Sequence, residues 1–147
     1  MILGADIGGT KTLLALAGDD DDGIVCERRY PSRDWNEFPA LLQAFLDEAD
    51  HTGINIASAC FGVAGPAEDN RAKVTYLPWF IDGPALARDF GFGSVEVVND
   101  FAAAAQGVAA LRSIDLVTLQ EGRPRLGAPR LLIGAGTGLG VAALLPE

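Results

Sequence analysis

Residues 2–17, Ile2-Leu-Gly-Ala-Asp6-Ile-Gly8-Gly9-Thr10-Lys11-Thr-Leu-Leu-Ala-Leu-Ala17, decide the fold. Ile2 to Ile7 and Thr12 to Ala17 both read as strands. Gly8 and Gly9 between them supply the permissive backbone of a tight reversal, so a hairpin is expected. The glycine spacing approaches a P-loop, because Gly4 and Gly9 have the required separation. Thr10 nevertheless stands where the lysine belongs, and a strand follows instead of a helix, so the P-loop reading fails. A glycine turn in a hairpin can still aim successive backbone N–H groups at an anion, with the Thr10 hydroxyl and the Lys11 charge beside it. On these residues alone the stretch is either a plain turn or a phosphate cradle.

Outward from this hairpin, Ile24 to Tyr30 is strand-like, and the four aspartates of Asp19–Asp22 precede it. They lack the spaced ligands and terminal glutamate of a calcium loop, so a solvated turn is expected. Trp35, Phe38, Leu41, Leu42, Phe45, Leu46 and Ala49 fall at the three-then-four spacing of an amphipathic helix, with Asn36 as its N-cap and Pro39 in its first turn. A buried strand is expected from Ile54 to Val63, followed by a loop with Gly65-Pro66. Asp82 should cap a short helix that holds Pro84 in its first turn and stops at Gly91. Val95 to Val98 reads as a strand, Phe101 to Leu111 as a helix capped by Asn99 or Asp100, and Ser113 to Leu119 as another strand. Leu131 to Leu145 reads as two strands around Gly134-Ala-Gly136-Thr137-Gly138-Leu-Gly140.

The chain has 147 residues, 49% of them hydrophobic, enough for one domain or for one and the start of a second. A formal charge of -9 repels nucleic acid phosphates, which excludes nucleic acid as a partner. Met1 to Leu16 carries no export signal, and Leu131 to Leu145 is too short and glycine-rich to span a bilayer, so no membrane association is expected. Cys26 and Cys60 lie in strand-like runs and are expected as buried free thiols of a cytoplasmic protein. His51, the single histidine, reads as a surface position after the Trp35–Ala49 helix.

Two further stretches carry chemistry. Gly134 to Gly140 misses the dinucleotide fingerprint, because with Gly134 as the first position the sixth is Leu139, and with Gly136 as the first it is Val141. With Gly8 to Thr10, it gives a second strand-turn-strand unit bearing Gly-Thr at its bend, at Gly136 to Gly138. Two such hairpins can grip a polyphosphate from two sides, as in the actin-like ATPase fold. Val97-Val98-Asn99-Asp100-Phe101 places a polar pair at the end of an apolar strand. The pair is either a helix N-cap or a site at a strand end, where a carboxylate can accept the proton of an attacking hydroxyl.

Asp6-Ile-Gly-Gly-Thr-Lys11, Gly62-Val-Ala-Gly-Pro66, Leu77-Pro-Trp79, Val98-Asn-Asp-Phe101 and Gly134 to Gly140, in this order and spacing, resemble the bacterial glucokinase family over nearly the whole chain. The resemblance implies a ribonuclease H-like (actin-like ATPase) α/β fold, with a mixed sheet and flanking helices. Residues 1–112 would form the small α/β domain, and residues 113–147 the beginning of a large domain, left incomplete. The implied reaction is transfer of the terminal phosphoryl group of ATP, with Mg2+, to the 6-hydroxyl of glucose. Asp100 would be the catalytic base, and Asn99 would hydrogen-bond the sugar. Asp6 would hold the magnesium through water, while Gly8, Gly9, Thr10 and Lys11 surround the terminal phosphates. Gly136, Thr137 and Gly138 would form the facing phosphate loop. Ala64, Gly65 and Pro66, with Leu77 to Trp79, would shape the sugar side.

The chain departs from the family pattern in three places. Tyr76 follows Thr75 where the family usually carries asparagine before Leu-Pro-Trp, which puts the choice of hexose in question. The Asp19–Asp22 run lengthens a turn. Family members also continue past the second glycine loop through a Glu-Gly-Gly-His segment, an adenosine-binding region and a final helix, none of which follows Glu147. Unpaired strand edges and uncovered apolar residues in Leu131 to Leu145 then predict self-association as a homo-oligomer, or dependence on a missing carboxy-terminal half. Two rival expectations are a half-protein that binds sugar or phosphate without catalysis, and a kinase of another sugar.

Overall fold

One face of a five-stranded sheet organises the first half of the chain. The computed structural model describes residues 1–18, 23–49, 55–135 and 139–146. By contact density the chain divides into two compact units, Met1–Asp100 and Phe101–Glu147. In the first, β1 (Ile2–Ile7), β2 (Lys11–Ala17) and β3 (Ile24–Pro31) form an antiparallel meander. Beyond β1, β4 (Ser58–Val63) and β8 (Val95–Asn99) join in parallel, so the order is β3-β2-β1-β4-β8. The expected hairpin is present. Period-two alternation sends Leu3, Ile7, Leu14, Leu16, Ala59, Phe61, Val63, Val95 and Val97 to the same buried face.

Helix α1 (Phe38–Glu48) covers that face with Phe38, Leu41, Leu42 and Phe45. The Phe38 ring meets Phe61 edge-on at 5.3 Å between centroids. Its N-cap is Glu37, not the expected Asn36, and no side chain caps it. A cap at Asn36 would place Pro39 at the third helical position, where the N–H a cap side chain needs does not exist. At the other end, the Tyr30 hydroxyl donates to Glu48 at 2.9 Å and joins β3 to the helix. Burial and that carboxylate push the Tyr30 pKa up to about 12.

A second, three-stranded sheet had no clear signal in the sequence. It comprises β5 (Ala67–Glu68), β6 (Arg71–Lys73) and β7 (Phe80–Asp82), each too short to show a period. Asn70, at φ 59, fastens it to the edge of β8: its side-chain amide donates to the Val95 carbonyl at 2.8 Å and accepts from the Val97 N–H at 2.7 Å. Helix α2 (Gly83–Phe90) follows β7 as expected, with Asp82 accepting from the Ala85 N–H at 3.0 Å and Gly91 left-handed at its end.

The second unit contains α3 (Asp100–Gly107, whose first residue closes the first unit) and the antiparallel pair β9 (Arg130–Ala135) and β10 (Leu139–Leu144). Gly134 and Gly140 face each other across this pair, and the Phe101 ring occupies the space their missing side chains leave. A Cβ at Gly134 would come within 2.7 Å of that ring, and one at Gly140 would overlap it. The strand expected from Ser113 to Leu119 does not form. Asp115 turns back to accept the Arg112 N–H at 2.9 Å, which coils Ser113–Asp115 into a short 3-10 turn and leaves Leu116, Val117 and Leu119 exposed.

Two other expectations are corrected. Cys26 is half-buried and Cys60 exposed, because Cys60 alternates with the inward-facing Ala59 and Phe61 and so points to the opposite face. Partial burial and the neighbouring Glu96 push the Cys60 thiol pKa up. The turn expected at Asp19–Asp22 and the surface position expected for His51 lie outside the described residues.

Candidate active site

Three parallel strands end together. The register aligns Ile7 with Val63 and Val63 with Asn99, so the segments after β1, β4 and β8 emerge side by side at the carboxyl edge of the sheet. Ligands of open α/β sheets bind at such edges. The segments here are the Gly8–Thr10 turn, the Ala64–Pro66 loop and the Asn99-Asp100 pair. Backbone bonds knit them: the Ala64 N–H donates to the Ile7 carbonyl at 2.9 Å, and the Thr75 N–H to the Ala64 carbonyl at 2.8 Å.

The Gly8–Thr10 turn is held from beneath by a residue the sequence reading passed over. Ser32, fully buried, donates its hydroxyl to the Gly8 carbonyl at 2.7 Å and lies 2.9 Å from the buried Thr12 hydroxyl. A serine has one hydroxyl proton; it goes to Gly8, so Thr12 donates to Ser32. The Ser32 N–H also donates to the Thr10 carbonyl at 3.0 Å. A serine at a strand end carries no distinguishing spacing, and only the fold reveals this role. Neither Gly8 nor Gly9 needs a left-handed backbone. What requires Gly9 is space, because a Cβ there would stand 2.9 Å from the Thr75 carbonyl oxygen.

Asn99 uses both amide protons. One donates to the Gly65 carbonyl at 3.0 Å and the other to Asp100 Oδ1 at 2.9 Å. The first fixes the β4 loop; the second orients the carboxylate that opens α3. Asp6 sits in register with Gly62 near the same edge and reaches solvent. The protein around its carboxylate and the negative charge of Asp100 push its pKa above the ordinary value, while Lys11 pulls it down. The first unit thus gathers two mutually repelling carboxylates, a lysine and a glycine turn.

Of the residues anticipated from the sequence, Asp6, Gly8, Gly9, Thr10, Lys11, Gly65, Asn99 and Asp100 fall in these adjoining segments, and Pro66 follows Gly65 in the same loop. Trp79 does not offer a surface to a ligand. It is 1% exposed, packs 6.1 Å from Phe38, and spends its indole N–H on the Trp35 carbonyl at 3.2 Å, so it supports the loop above it from the core. Gly136, Thr137 and Gly138 lie outside the described residues.

A crystal structure of a glucokinase from an Antarctic psychrotroph superposes with a TM-score of 0.82 at 31% identity, covering 99% of this chain and 46% of that one. A ROK family protein from Streptococcus pneumoniae, solved in complex with sucrose, shares the fold at 20% identity, with a TM-score of 0.60 over 99% of this chain and 46% of its own. The fold is therefore the actin-like α/β fold of the sugar kinases. A family model for glucokinase matches residues 3–147, and the chain belongs to the glucokinase family. Curated glucokinases from a Nostoc species and a Synechocystis species are 40% and 36% identical over 100% and 99% of the chain. The chain spans about 44% of the length of these relatives.

Proposed function

We propose that this chain carries the hexose side and one phosphate turn of a glucokinase, which transfers the terminal phosphoryl group of ATP to the 6-hydroxyl of glucose. The observation that carries the reading is the Asn99-Asp100 pair at the carboxyl edge, with the carboxylate oriented by the Asn99 amide at 2.9 Å and set near Asp6, Lys11 and the Gly8–Thr10 turn. Asp100 accepts the proton of the 6-hydroxyl as the new O–P bond forms and the bond to the ADP oxygen breaks. Asn99 and the Gly65-Pro66 loop position the sugar. Lys11 and the N–H groups of the Gly8–Thr10 turn meet the phosphate oxygens.

One carboxylate beside a phosphate turn is a donor set that suits Mg2+, which takes most of its remaining oxygens from nucleotide phosphates and water. Asp6 would reach the ion through water, and the ion would neutralise charge on the transferring phosphoryl group. Burial of its carboxylate and then the charge of Asp100 raise the Asp6 pKa, and a cation held here would offset the second of these. Gly136, Thr137 and Gly138 join this reading as a second phosphate loop on family resemblance alone.

Residues 1–112 are proposed as the small domain and residues 113–147 as part of the large one. Two free cysteines accord with a cytoplasmic location, and among the described residues no helix is long and apolar enough to cross a membrane. The exposed Leu131, Ile133, Leu139 and Val141 support self-association of the purified chain.

Mass-spectrometric detection of sugar phosphate, from the protein with Mg-ATP and a hexose panel, tests the reading. Glucose 6-phosphate above the no-protein control supports it. Glucose binding without product would favour a sugar-binding module, and neither binding nor product would refute the assignment.

A further inference from the structure

Tyr76 combines three features not found together elsewhere in the site. Its φ is 68°, in the left-handed region that a bulky aromatic residue rarely adopts. The residue is 81% exposed, whereas Val74, two positions before it, and Trp79, three after, are each 1% exposed. Its side chain also backs onto the phosphate turn: a Cβ built on Gly9 would lie 3.4 Å from Tyr76 Cβ and 3.7 Å from Tyr76 Cδ2. A strained backbone of this kind persists only where surrounding contacts impose it. Here they do. The Val74 N–H donates to the Trp79 carbonyl at 3.0 Å, the Thr75 N–H to Ala64 at 2.8 Å, and the Leu77 N–H to Val74 at 3.4 Å. Gly65 lets the Lys73 carbonyl approach where any side chain would collide, and the same Gly65 accepts from Asn99.

We propose that Tyr76 is a specificity-determining residue of the hexose site, presenting its aromatic face to the pyranose ring. This inference rests on the glucokinase reading above. The ring contributes nothing to the core, so core packing does not repay its backbone strain. An aromatic face is electron-rich and repels phosphate, but it attracts the weakly positive C–H groups on the flat side of a sugar. The ring stands beside Gly9 of the phosphate turn, and the Thr75 N–H before it is bonded to Ala64 of the neighbouring loop, so it would separate a phosphate side of the edge from a sugar side.

The test compares the wild type with Tyr76→Asn and Tyr76→Phe. Glucose, mannose and N-acetylglucosamine are titrated calorimetrically, and thermal midpoints are recorded in parallel. Asparagine tolerates the left-handed backbone, so Tyr76→Asn should melt at or above the wild-type temperature. It should also bind glucose about fivefold to tenfold more weakly and show a changed ratio of affinities across the panel. Tyr76→Phe keeps the aromatic face and should bind glucose within about twofold of wild type. Unchanged affinities and ratios in Tyr76→Asn would overturn the inference while leaving the glucokinase reading intact. A wild-type protein that binds no hexose would overturn both.

Discussion

Replacing Ser32 with alanine tests whether the Gly8–Thr10 turn is built from below. The serine hydroxyl is fully buried and serves two partners, donating to the Gly8 carbonyl at 2.7 Å and accepting from Thr12 at 2.9 Å. Alanine removes both bonds at once and leaves a buried hydroxyl and a carbonyl without that partner. Each such orphan costs roughly 1–3 kcal/mol, so a loss of about 2–3 kcal/mol is expected after relaxation. For a folding unit near this size, that corresponds to a fall in melting temperature on the order of 10 °C. Urea denaturation followed by tryptophan fluorescence reads it, since Trp35 and Trp79 both lie in the first unit. Thr12→Val removes one of the two orphans, so the double variant should be less destabilised than the sum of the singles by about 1 kcal/mol. A Ser32→Ala loss below about 0.5 kcal/mol, or full additivity with Thr12→Val, would refute the relay.

Three further outcomes follow from the same structure. Asn70→Ala strips the Val97 N–H and Val95 carbonyl of their side-chain partner and should cost about 1–3 kcal/mol in denaturant, while Asn70→Asp, which still accepts from Val97, should cost less. Burial, and then the charge of Asp100, hold the Asp6 carboxyl above its ordinary value of 3.8, so its ionisation opposes folding and stability falls as pH rises from 3.8 through the raised value. Asp6→Asn should accordingly be more stable than wild type at neutral pH, with the advantage gone at a pH below 3.8, and an advantage independent of pH would contradict the cause assigned. Asp82 behaves oppositely, since hydrogen bonds from Arg71 and then from the Ala85 N–H hold its pKa down. Its contribution is complete above the ordinary carboxylate value and is lost as pH falls through the depressed one. Thermal melts of Asp82→Ala should show a loss of about 1 kcal/mol at neutral pH that shrinks in acid.

The sequence reveals those parts of the fold in which a local signal and the tertiary environment agree. The β1–β2 hairpin, the Asp82 cap and the Gly91 stop are set within a few residues of chain, and each appears where its residues indicate. The small β5-β6-β7 sheet has strands of two and three residues, too short for any periodicity. Ser113 to Leu119 has the apolar content of a strand but finds no pairing partner among the described residues, and the Asp115 bond to Arg112 decides its shape.

The residues of the candidate site were legible as motifs, but the groups that position them were not. Ser32 and Asn70 act over 24 to 27 residues of sequence through backbone atoms, which leave no mark in composition or spacing. Trp79 differs for the opposite reason: its motif is near the site, but its burial comes from packing against Phe38 of α1 and the Trp35 carbonyl, distant in sequence. Tyr76 was visible as a departure from the family pattern, and the structure adds the strained backbone and the exposure.

The most direct test of the account is steady-state glucose phosphorylation by Asp100→Asn beside wild type. Asparagine keeps the shape at the start of α3 but cannot accept the proton of the 6-hydroxyl. The account predicts that kcat falls about 10²–10⁴-fold, with KM for glucose within about threefold. A variant retaining kcat within about tenfold of wild type would contradict the assignment of Asp100 as the base.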